Sequence, residues 1–231
     1  MNGHFPSKKT IVLSKDYFNN ILFHNIIKKK IIEIPPYILL PNKYNKRNIK
    51  KNSIKIGYLG RLSDEKGLEI LIEASNKLLK NKYDHELIIA GDKEDKRFQK
   101  YIKKLFYKSK NNNRIKFIGK INEFDKCKFL NNLDIFILPS INSFEAFGIV
   151  QLEAMAAGLP ALAFQRPRSG MGWVGQLPGL QWSQQPEDLQ AVLQRLADHP
   201  EQRERLGQQA RKRYQALFAR SVWLERLHAL G

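Results

Sequence analysis

The stretch 134–160, DIFILPSINSFEAFGIVQLEAMAAGLP, organises the rest of the chain. It opens with an apolar run at 135–138 that is short and ends at a proline, so it predicts a buried strand. A polar loop follows, and from about Gly148 apolar residues recur at helical spacing until Gly158 and Pro160 end the pattern. The stretch is therefore predicted to fold as a strand, a loop and a helix.

Such a unit places the N-terminus of its helix at the carboxyl edge of a parallel sheet, where open α/β sheets bind ligands. The unpaired N–H groups and the dipole at that end favour a phosphate. Glu145 lies in the loop and Glu153 lies in the helix, and carboxylates only accept hydrogen bonds, so both suit hydroxyl groups. A ligand with phosphates and hydroxyls is a sugar nucleotide. The alternative is that both glutamates are solvated charges on a helix face.

The spacing Glu145-x7-Glu153, with Phe147 and Gly148 inside it and EAMAAGLP at 153–160, resembles the signature of glycosyltransferase family 4. The resemblance implies a GT-B fold, of which this chain would hold the C-terminal, donor-binding half. It also implies a transferase that retains the anomeric configuration of a sugar taken from a nucleoside diphosphate. Neither a metal nor another cofactor is expected, because cationic side chains would do the work of a metal ion.

The apolar run at 53–59 is predicted to be a buried strand. A turn with a glycine at each end, GRLSDEKG at 60–67, follows it. Gly60 lets the chain turn tightly, and Arg61 and Lys66 place two cations at the carboxyl end of that strand. The family resemblance assigns both cations to the donor diphosphate, where they would stabilise the charge on the leaving group. The alternative is a basic turn that is followed by helix-forming residues.

The resemblance also assigns the two carboxylates. Glu153 would hold the ribose hydroxyls, Glu145 would hold the transferred sugar, and main-chain N–H groups between them would meet the sugar and the phosphates. The candidate catalytic residues are therefore Arg61, Lys66 and Glu145. The candidate donor-binding residues are Gly60, Glu153, Phe147, Gly148, Ile149 and Val150. No residue is predicted to bind a metal.

Strand and helix patterns alternate from residue 54 to about 183, which predicts an α/β fold with a Rossmann-like parallel sheet and helices on both faces. The alternation includes a strand pattern at 85–90, a helical pattern from about 94 to 108, and a helix that Asn122 is predicted to cap, with Asp125 three residues on. The preceding part has a strand pattern at 10–14, a helical pattern at 16–27, another strand pattern at 30–34 and a polar linker at 42–52. The resemblance implies that residues 1–52 are a remnant of the acceptor-side domain with a linker, and that residues 53–231 are the donor-binding domain. The last helix of a GT-B fold crosses back to the first domain, of which little is expected here.

The loop after the predicted strand at 161–164 departs from the sequence pattern of the family. Residues 165–172, QRPRSGMG, stand where the family has a glycine-glycine and acidic element. That loop is expected near the donor sugar, so the departure leaves the sugar specificity open. A last short strand is predicted at 179–182.

Composition changes near the middle of the chain. The 231 residues have a net charge of +18, but residues 1–148 hold 30 basic and 15 acidic residues, whereas residues 149–231 hold 10 and 7. Asparagine and isoleucine largely disappear after residue 149, and glutamine, alanine and arginine become frequent. This change suggests a join of two related sequences, a chimera, between Phe144 and Gln151. The alternative is a single gene with a biased first part.

Cysteine usage and hydropathy favour a cytoplasmic location. The one cysteine, Cys127, cannot form an internal disulfide, and no run of about twenty apolar residues predicts a membrane span. The first residues lack the apolar core of a signal peptide. The basic charge would also permit peripheral association with the inner face of an anionic membrane.

The leading interpretation is a donor domain that transfers sugar to a glycan or a lipid-linked acceptor in cell-envelope polysaccharide synthesis. One alternative is a non-catalytic fragment that binds nucleotide sugars, since most of the acceptor domain would be missing. Another is a basic binder of nucleic acid or anionic lipid, but Phe98, Tyr101 and Leu105 recur at helical spacing and predict a core face instead. Other GT-B relatives, such as sugar-nucleotide epimerases, differ in the signature around the helix.

Overall fold

The fold is taken from a computed structural model, which describes residues 10–18, 31–38, 53–142, 145–167, 169–177, 183 and 185–230. The predicted linker at 42–52, the predicted strand at 179–182 and most of the predicted helix at 16–27 lie outside the described residues. The division of the chain at residue 52 therefore stays a prediction.

A five-stranded parallel sheet forms the centre of the molecule. Its strands are β3 (Ile54–Leu59), β4 (His85–Ala90), β5 (Ile115–Gly119), β6 (Ile135–Leu138) and β7 (Ala161–Ala163). They lie in the order β5-β4-β3-β6-β7. The strand order changes direction between β3 and β6, which pair through Ile56 with Ile135 and Gly57 with Phe136. Open α/β sheets bind ligands at the carboxyl ends of the strands between which the order reverses, here β3 and β6. The predicted Rossmann-like sheet is confirmed.

Helices connect the strands and flank the sheet. They are α2 (Leu68–Lys80), α3 (Gln99–Ser109), α4 (Glu123–Asn131), α5 (Ile149–Ala156), α6 (Met171–Val174), α7 (Leu189–Asp198), α8 (Pro200–Leu217) and α9 (Arg220–His228). Helix α2 packs against α3 and α7, and α5 packs against α8. The predicted helix at 94–108 begins later, because a 3-10 turn at Lys96–Phe98, capped by the Asp95 side chain, precedes α3. The short helix α6 was not predicted.

The stretch 134–160 lies at the centre of this packing. All four residues of β6 are buried, and Leu152 and Met155 of α5 have no exposed surface. Gly158 ends α5 with a left-handed φ of 72°, as its place after the apolar pattern predicts. Strand, loop and helix are thus confirmed in the predicted order.

A second, two-stranded parallel sheet precedes the main one. It pairs β1 (Thr10–Val12) with β2 (Ile31–Glu33), and the short helix α1 (Lys15–Phe18) follows β1. The N–H of Lys15 donates to the Glu33 carboxylate at 2.7 Å. The last helix contacts this region, since Trp223 of α9 packs against Tyr37 with ring centroids 4.8 Å apart. Within the described part of the chain, no helix combines the length and the apolarity needed to cross a membrane.

Candidate functional site

A cleft of about 420 Å³ opens at the carboxyl ends of β3 and β6, beside the N-terminus of α5. Eight of the nine predicted site residues line it, namely Gly60, Arg61, Lys66, Glu145, Phe147, Gly148, Ile149 and Val150. Leu13 and Pro36, from the two-stranded region, complete its wall. A larger cavity of about 650 Å³ lies between α1 and the loop after β7, but none of the nine residues lines it. The 420 Å³ cleft is therefore the candidate site.

The turn after β3 is fastened to the turn after β6. The carbonyl oxygen of Glu65 accepts hydrogen bonds from the Ser140 hydroxyl at 3.0 Å and from the Ile141 N–H at 3.1 Å. Gly67 has a left-handed φ of 64°, and a Cβ there would lie 2.0 Å from the Pro139 carbonyl oxygen, so only glycine allows this approach. The two fastened turns bring Lys66 beside Glu145.

Lys66 and Glu145 form an ion pair inside the cleft. Their side chains are only 14% and 15% exposed, so both charges are largely removed from water. Arg61 lies at the rim, 58% exposed, with its guanidinium 3.3 Å from the Glu65 carboxylate. The Ser63 hydroxyl holds the same carboxylate at 2.6 Å. The site thus has one sheltered cation and one exposed cation at its edge.

The N-terminus of α5 points into the same cleft without a capping side chain. Its N-cap is Gly148, with φ 69° and ψ 63°, and its first turn contains no acidic residue. The side chain of Ile149 is half exposed. Because the first N–H groups of a helix have no partner within the helix, this tip can donate hydrogen bonds to an anion.

Substituting Gly148 by alanine tests how tightly the N-terminus of α5 is packed. A Cβ at this position would lie 2.5 Å from Leu138 Cδ2 and 2.6 Å from Gln151 Nε2, whereas one at Gly158 would meet nothing closer than 4.0 Å. Both glycines have a left-handed φ, so Gly158→Ala should cost about 1 kcal/mol of unfolding free energy through the backbone alone. Gly148→Ala should cost about 3 kcal/mol, because overpacking adds to that penalty. Chemical denaturation measures both, and equal losses would show that the tip has room to relax.

Glu153, the ninth predicted residue, lies on α5 and is not among the residues that line the cleft. Its side chain is 15% exposed, and Oε1 accepts a hydrogen bond from Lys126 Nζ of α4 at 2.8 Å. The other oxygen, Oε2, is buried and has no hydrogen-bond partner among the described residues. Burial keeps the pKa of Glu153 above its ordinary value of 4.5, although the hydrogen bond and charge of Lys126 act to lower it. A buried carboxylate oxygen without a donor is suited to receive a hydroxyl.

Several residues that shape the site were not predicted. Ser169 donates its hydroxyl to the Glu145 carbonyl at 2.7 Å, which fastens the loop after β7 to the cleft. The buried Gln151 amide donates to the Phe147 and Met171 carbonyls, each at 3.3 Å. Sequence spacing gave no signal for the contacts of Ser169 with Glu145 and of Gln151 with Met171, since they join parts of the chain that only tertiary packing brings together.

An aromatic cluster supports the cleft from behind. Phe147 packs edge-on against Trp173 and Phe218, with ring centroids 6.2 Å and 5.7 Å away. Arg213 of α8 donates to the carbonyls of Trp173 and Val174 at 2.6 Å and 3.2 Å. The cluster therefore ties the loop before α5 to α6 and α8. Among the residues that the structure describes, no three His, Cys, Asp or Glu side chains gather to hold a metal ion.

Comparison with known proteins agrees with this architecture. The family profile described as "Glycosyl transferases group 1" matches residues 41–213. An uncharacterized glycosyltransferase of Methanocaldococcus jannaschii is 36% identical over 105 residues, which are 46% of this chain and 25% of that protein. The capsular polysaccharide biosynthesis glycosyltransferase CapM of Staphylococcus aureus is 25% identical over 194 residues, 83% of this chain and 48% of CapM. The chain thus spans less than half the length of these relatives.

The fold of this chain also resembles that of solved structures. The Anabaena protein HepE, crystallised with UDP and glucose, superposes on 96% of this chain with a TM-score of 0.78. The match covers 62% of the HepE chain at 20% sequence identity, so the likeness is one of fold.

The hypothesis of a join between two sequences finds no support. The residues that the family profile matches, 41–213, include the proposed junction at Phe144 to Gln151. Leu138 before the junction and Leu152 after it are both buried in the same core. Since the profile covers residues 41–213 of 231, the chain belongs to the family of glycosyl transferases group 1.

Proposed function

We propose that the 420 Å³ cleft binds a nucleoside-diphosphate sugar and that the chain is the donor half of a retaining glycosyltransferase. The observation that carries this proposal is the meeting of a sheltered cation and an uncapped helix tip in one cleft at the sheet edge. A buried carboxylate oxygen without a partner among the described residues lies on the same helix, outside the lining of the cleft. The first two features suit phosphates, and the third suits a hydroxyl. A nucleotide sugar carries both kinds of group.

The diphosphate would lie between Lys66 and the tip of α5. Lys66 Nζ is fixed by the turn after β3, and the N–H groups of Ile149 and Val150 lie on the neighbouring wall. Arg61 at the rim is exposed enough to move onto a phosphate, where its planar guanidinium can donate two hydrogen bonds. These charges would replace the water around the diphosphate and hold it in one place.

The ribose would approach α5 so that a hydroxyl donates to Glu153 Oε2, the buried oxygen without a partner. Glu145, in the loop before α5, would accept hydrogen bonds from the transferred sugar while it keeps its contact with Lys66. Gly60 would let the end of β3 approach the ligand without a side chain in the way. These roles are the ones that the sequence motif implies.

In the proposed reaction, the bond from the anomeric carbon to the diphosphate oxygen breaks, and its electron pair stays on the diphosphate. The oxygen of an acceptor hydroxyl bonds to that carbon, and its proton passes to the departing diphosphate oxygen. Lys66 and the tip of α5 would stabilise the negative charge that develops on the departing diphosphate. Lysine near the leaving oxygen thus contributes to the transition state and not only to binding.

The acceptor in this proposal is a glycan or a lipid-linked sugar at the cytoplasmic face of the cell membrane. The support is that the Staphylococcus aureus relative is named for capsular polysaccharide biosynthesis. A second candidate function is binding of nucleotide sugars without transfer. The aligned segments cover only 25% and 48% of the two relatives.

A thermal-shift screen of UDP-, GDP-, ADP- and dTDP-sugars tests the proposal, with nucleoside monophosphates and free sugars as controls. A ligand present at 100 times its dissociation constant should stabilise the fold by about 2.7 kcal/mol. For a domain of this size, that raises the melting temperature by roughly 5–10 °C. No shift with any nucleotide sugar would contradict donor binding. Sugar transfer by the isolated chain to lipid-linked or glycan acceptors would exclude the non-catalytic alternative.

A further inference from the structure

Lys126 joins the helix before β6 to the carboxylate proposed to hold the ribose. Asn122 caps α4 by accepting a hydrogen bond from the Asp125 N–H at 2.8 Å, which fixes the first turn of the helix. The next side chain, Lys126, is only 17% exposed and reaches across to α5. Its Nζ lies 2.8 Å from Glu153 Oε1 and 2.7 Å from a Glu123 carboxylate oxygen.

The contact leaves one oxygen of Glu153 for a ligand. Lys126 occupies Oε1, and Oε2 remains buried without a partner among the described residues. An ionised carboxylate accepts hydrogen bonds at both oxygens, whereas a protonated one donates from one of them, and burial opposes ionisation. The cation at 2.8 Å offsets that cost. Lys126 therefore has both the position and the charge to keep the carboxylate ready for a hydroxyl.

The pKa values of Lys126 and Glu153 are both shifted, but by different causes. Burial alone would lower the pKa of Lys126, but its hydrogen bonds to Glu123 and Glu153 outweigh burial, so its pKa lies above the ordinary 10.5. Burial raises the pKa of Glu153, and the pull of Lys126 does not fully reverse this. The difference follows from the geometry, since Lys126 has two anionic partners whereas Glu153 lies deeper and shares one cation with Glu123.

Among the described residues around α5, no other cation is paired with Glu153. Strands β6 and β7 contribute only apolar side chains. On α8, Arg203 donates to main-chain carbonyls at 196 and 197, and Arg213 donates to those at 173 and 174. Lys66 is paired with Glu145. Among the described residues, the charges that act on Glu153 are those of Lys126 and Glu123.

We propose that Lys126 is a positioning residue that keeps Glu153 ionised and oriented, and thereby sets the lower pH limit of donor binding. This inference rests on the proposed function, because it assumes that Glu153 accepts the ribose hydroxyls. Lys126 acts through Glu153 and does not itself need to touch the ligand. Its place on α4 makes the capped first turn of that helix part of the donor site.

Calorimetric titration with UDP-glucose from pH 5.5 to 8 tests the inference on four proteins. Lys126→Met should weaken binding at pH 7 by about tenfold, because Glu153 loses its cation. For the same reason, the pH below which binding is lost should be higher in this variant than in the wild type. Lys126→Arg keeps the charge and should restore both. Lys128→Met removes the same charge from an exposed position on the same helix, so it should change affinity by no more than about twofold.

Coupling to Glu153 is the decisive feature. In Glu153→Gln, the affinity should no longer fall at low pH. Adding Lys126→Met to this variant should then have little further effect on the affinity. An affinity loss in Lys126→Met that is the same at every pH would mean that Lys126 contacts the ligand directly, and would overturn the inference. An unchanged profile would overturn it as well.

A measurement without ligand separates this inference from the proposed function. The side-chain carboxyl carbon of Glu153 can be titrated by NMR in the unliganded wild-type protein and in Lys126→Met, with circular dichroism as a check of folding. The carboxyl should titrate at higher pH in the variant. If UDP-glucose does not bind the wild type but this shift occurs, then donor binding fails while the coupling stands. If the ligand binds but the carboxyl titrates identically in both proteins, only the inference fails.

Discussion

Replacing Lys66 by methionine is expected to weaken the binding of a nucleotide sugar by roughly 10- to 100-fold. A hydrogen bond to a charged group contributes about 1.5–3 kcal/mol, and each 1.4 kcal/mol corresponds to a factor of ten in the dissociation constant. The effect should be large because the side chain is 14% exposed and is held in the cleft by the turn after β3. Calorimetry with the nucleotide sugar that gives the largest thermal shift measures it.

Two further proteins separate the loss of binding from a loss of stability. Removing Lys66 alone leaves the sheltered Glu145 carboxylate without its cation, which also lowers the unfolding free energy. The double variant Lys66→Met/Glu145→Gln removes both charges, so stability should recover while binding stays weak. Lys77→Met, on the exposed side of α2, removes a cation far from the cleft and should bind normally. Full affinity in Lys66→Met would contradict the role of this lysine.

The affinity for a nucleotide sugar is expected to fall as the pH is lowered through the pKa of Glu153, which burial holds above 4.5. The ribose hydroxyls need the ionised carboxylate, so binding is present above that pKa and is lost below it. Glu153→Gln should weaken binding at pH 7 by about tenfold, since a neutral amide oxygen is a weaker acceptor than a carboxylate. It should also remove the pH dependence.

The choice of ligand matters for this second experiment. A free nucleoside diphosphate has a terminal phosphate that titrates near pH 6, which would add its own pH dependence. In a nucleotide sugar the terminal phosphate is esterified, so the change with pH reports on the protein. A wild-type affinity that is constant down to pH 5, or an equal pH dependence in Glu153→Gln, would show that Glu153 does not hold the ribose.

Much of the fold could be predicted because apolar runs and turn residues coincide in this sequence. The run 135–138 and the run 85–90 became strands with the expected bounds, and Asn122 caps its helix as its spacing to Asp125 predicts. The grouping of Lys66 with Glu145 followed from topology, since the carboxyl ends of neighbouring parallel strands share one edge. Their direct pairing did not follow, because it depends on how two turns are fastened.

The remaining parts of the site depend on packing between distant segments. Lys126 and Glu153 are 27 residues apart, and they meet only because α4 lies beside α5. In the same way, the Ser169 contact to Glu145 depends on how the loop after β7 folds over the cleft. Residue spacing within one element carries no information on such contacts. The 3-10 turn before α3 was missed for a local reason, since the Asp95 cap competes with a longer helix.

The most direct test of donor binding is a crystal structure of the chain grown with UDP. The diphosphate is expected within hydrogen-bond distance of Lys66 Nζ and of the N–H groups of Ile149 and Val150, with a ribose hydroxyl on Glu153 Oε2. UDP bound at any other surface, with the 420 Å³ cleft filled only by water, would contradict the account.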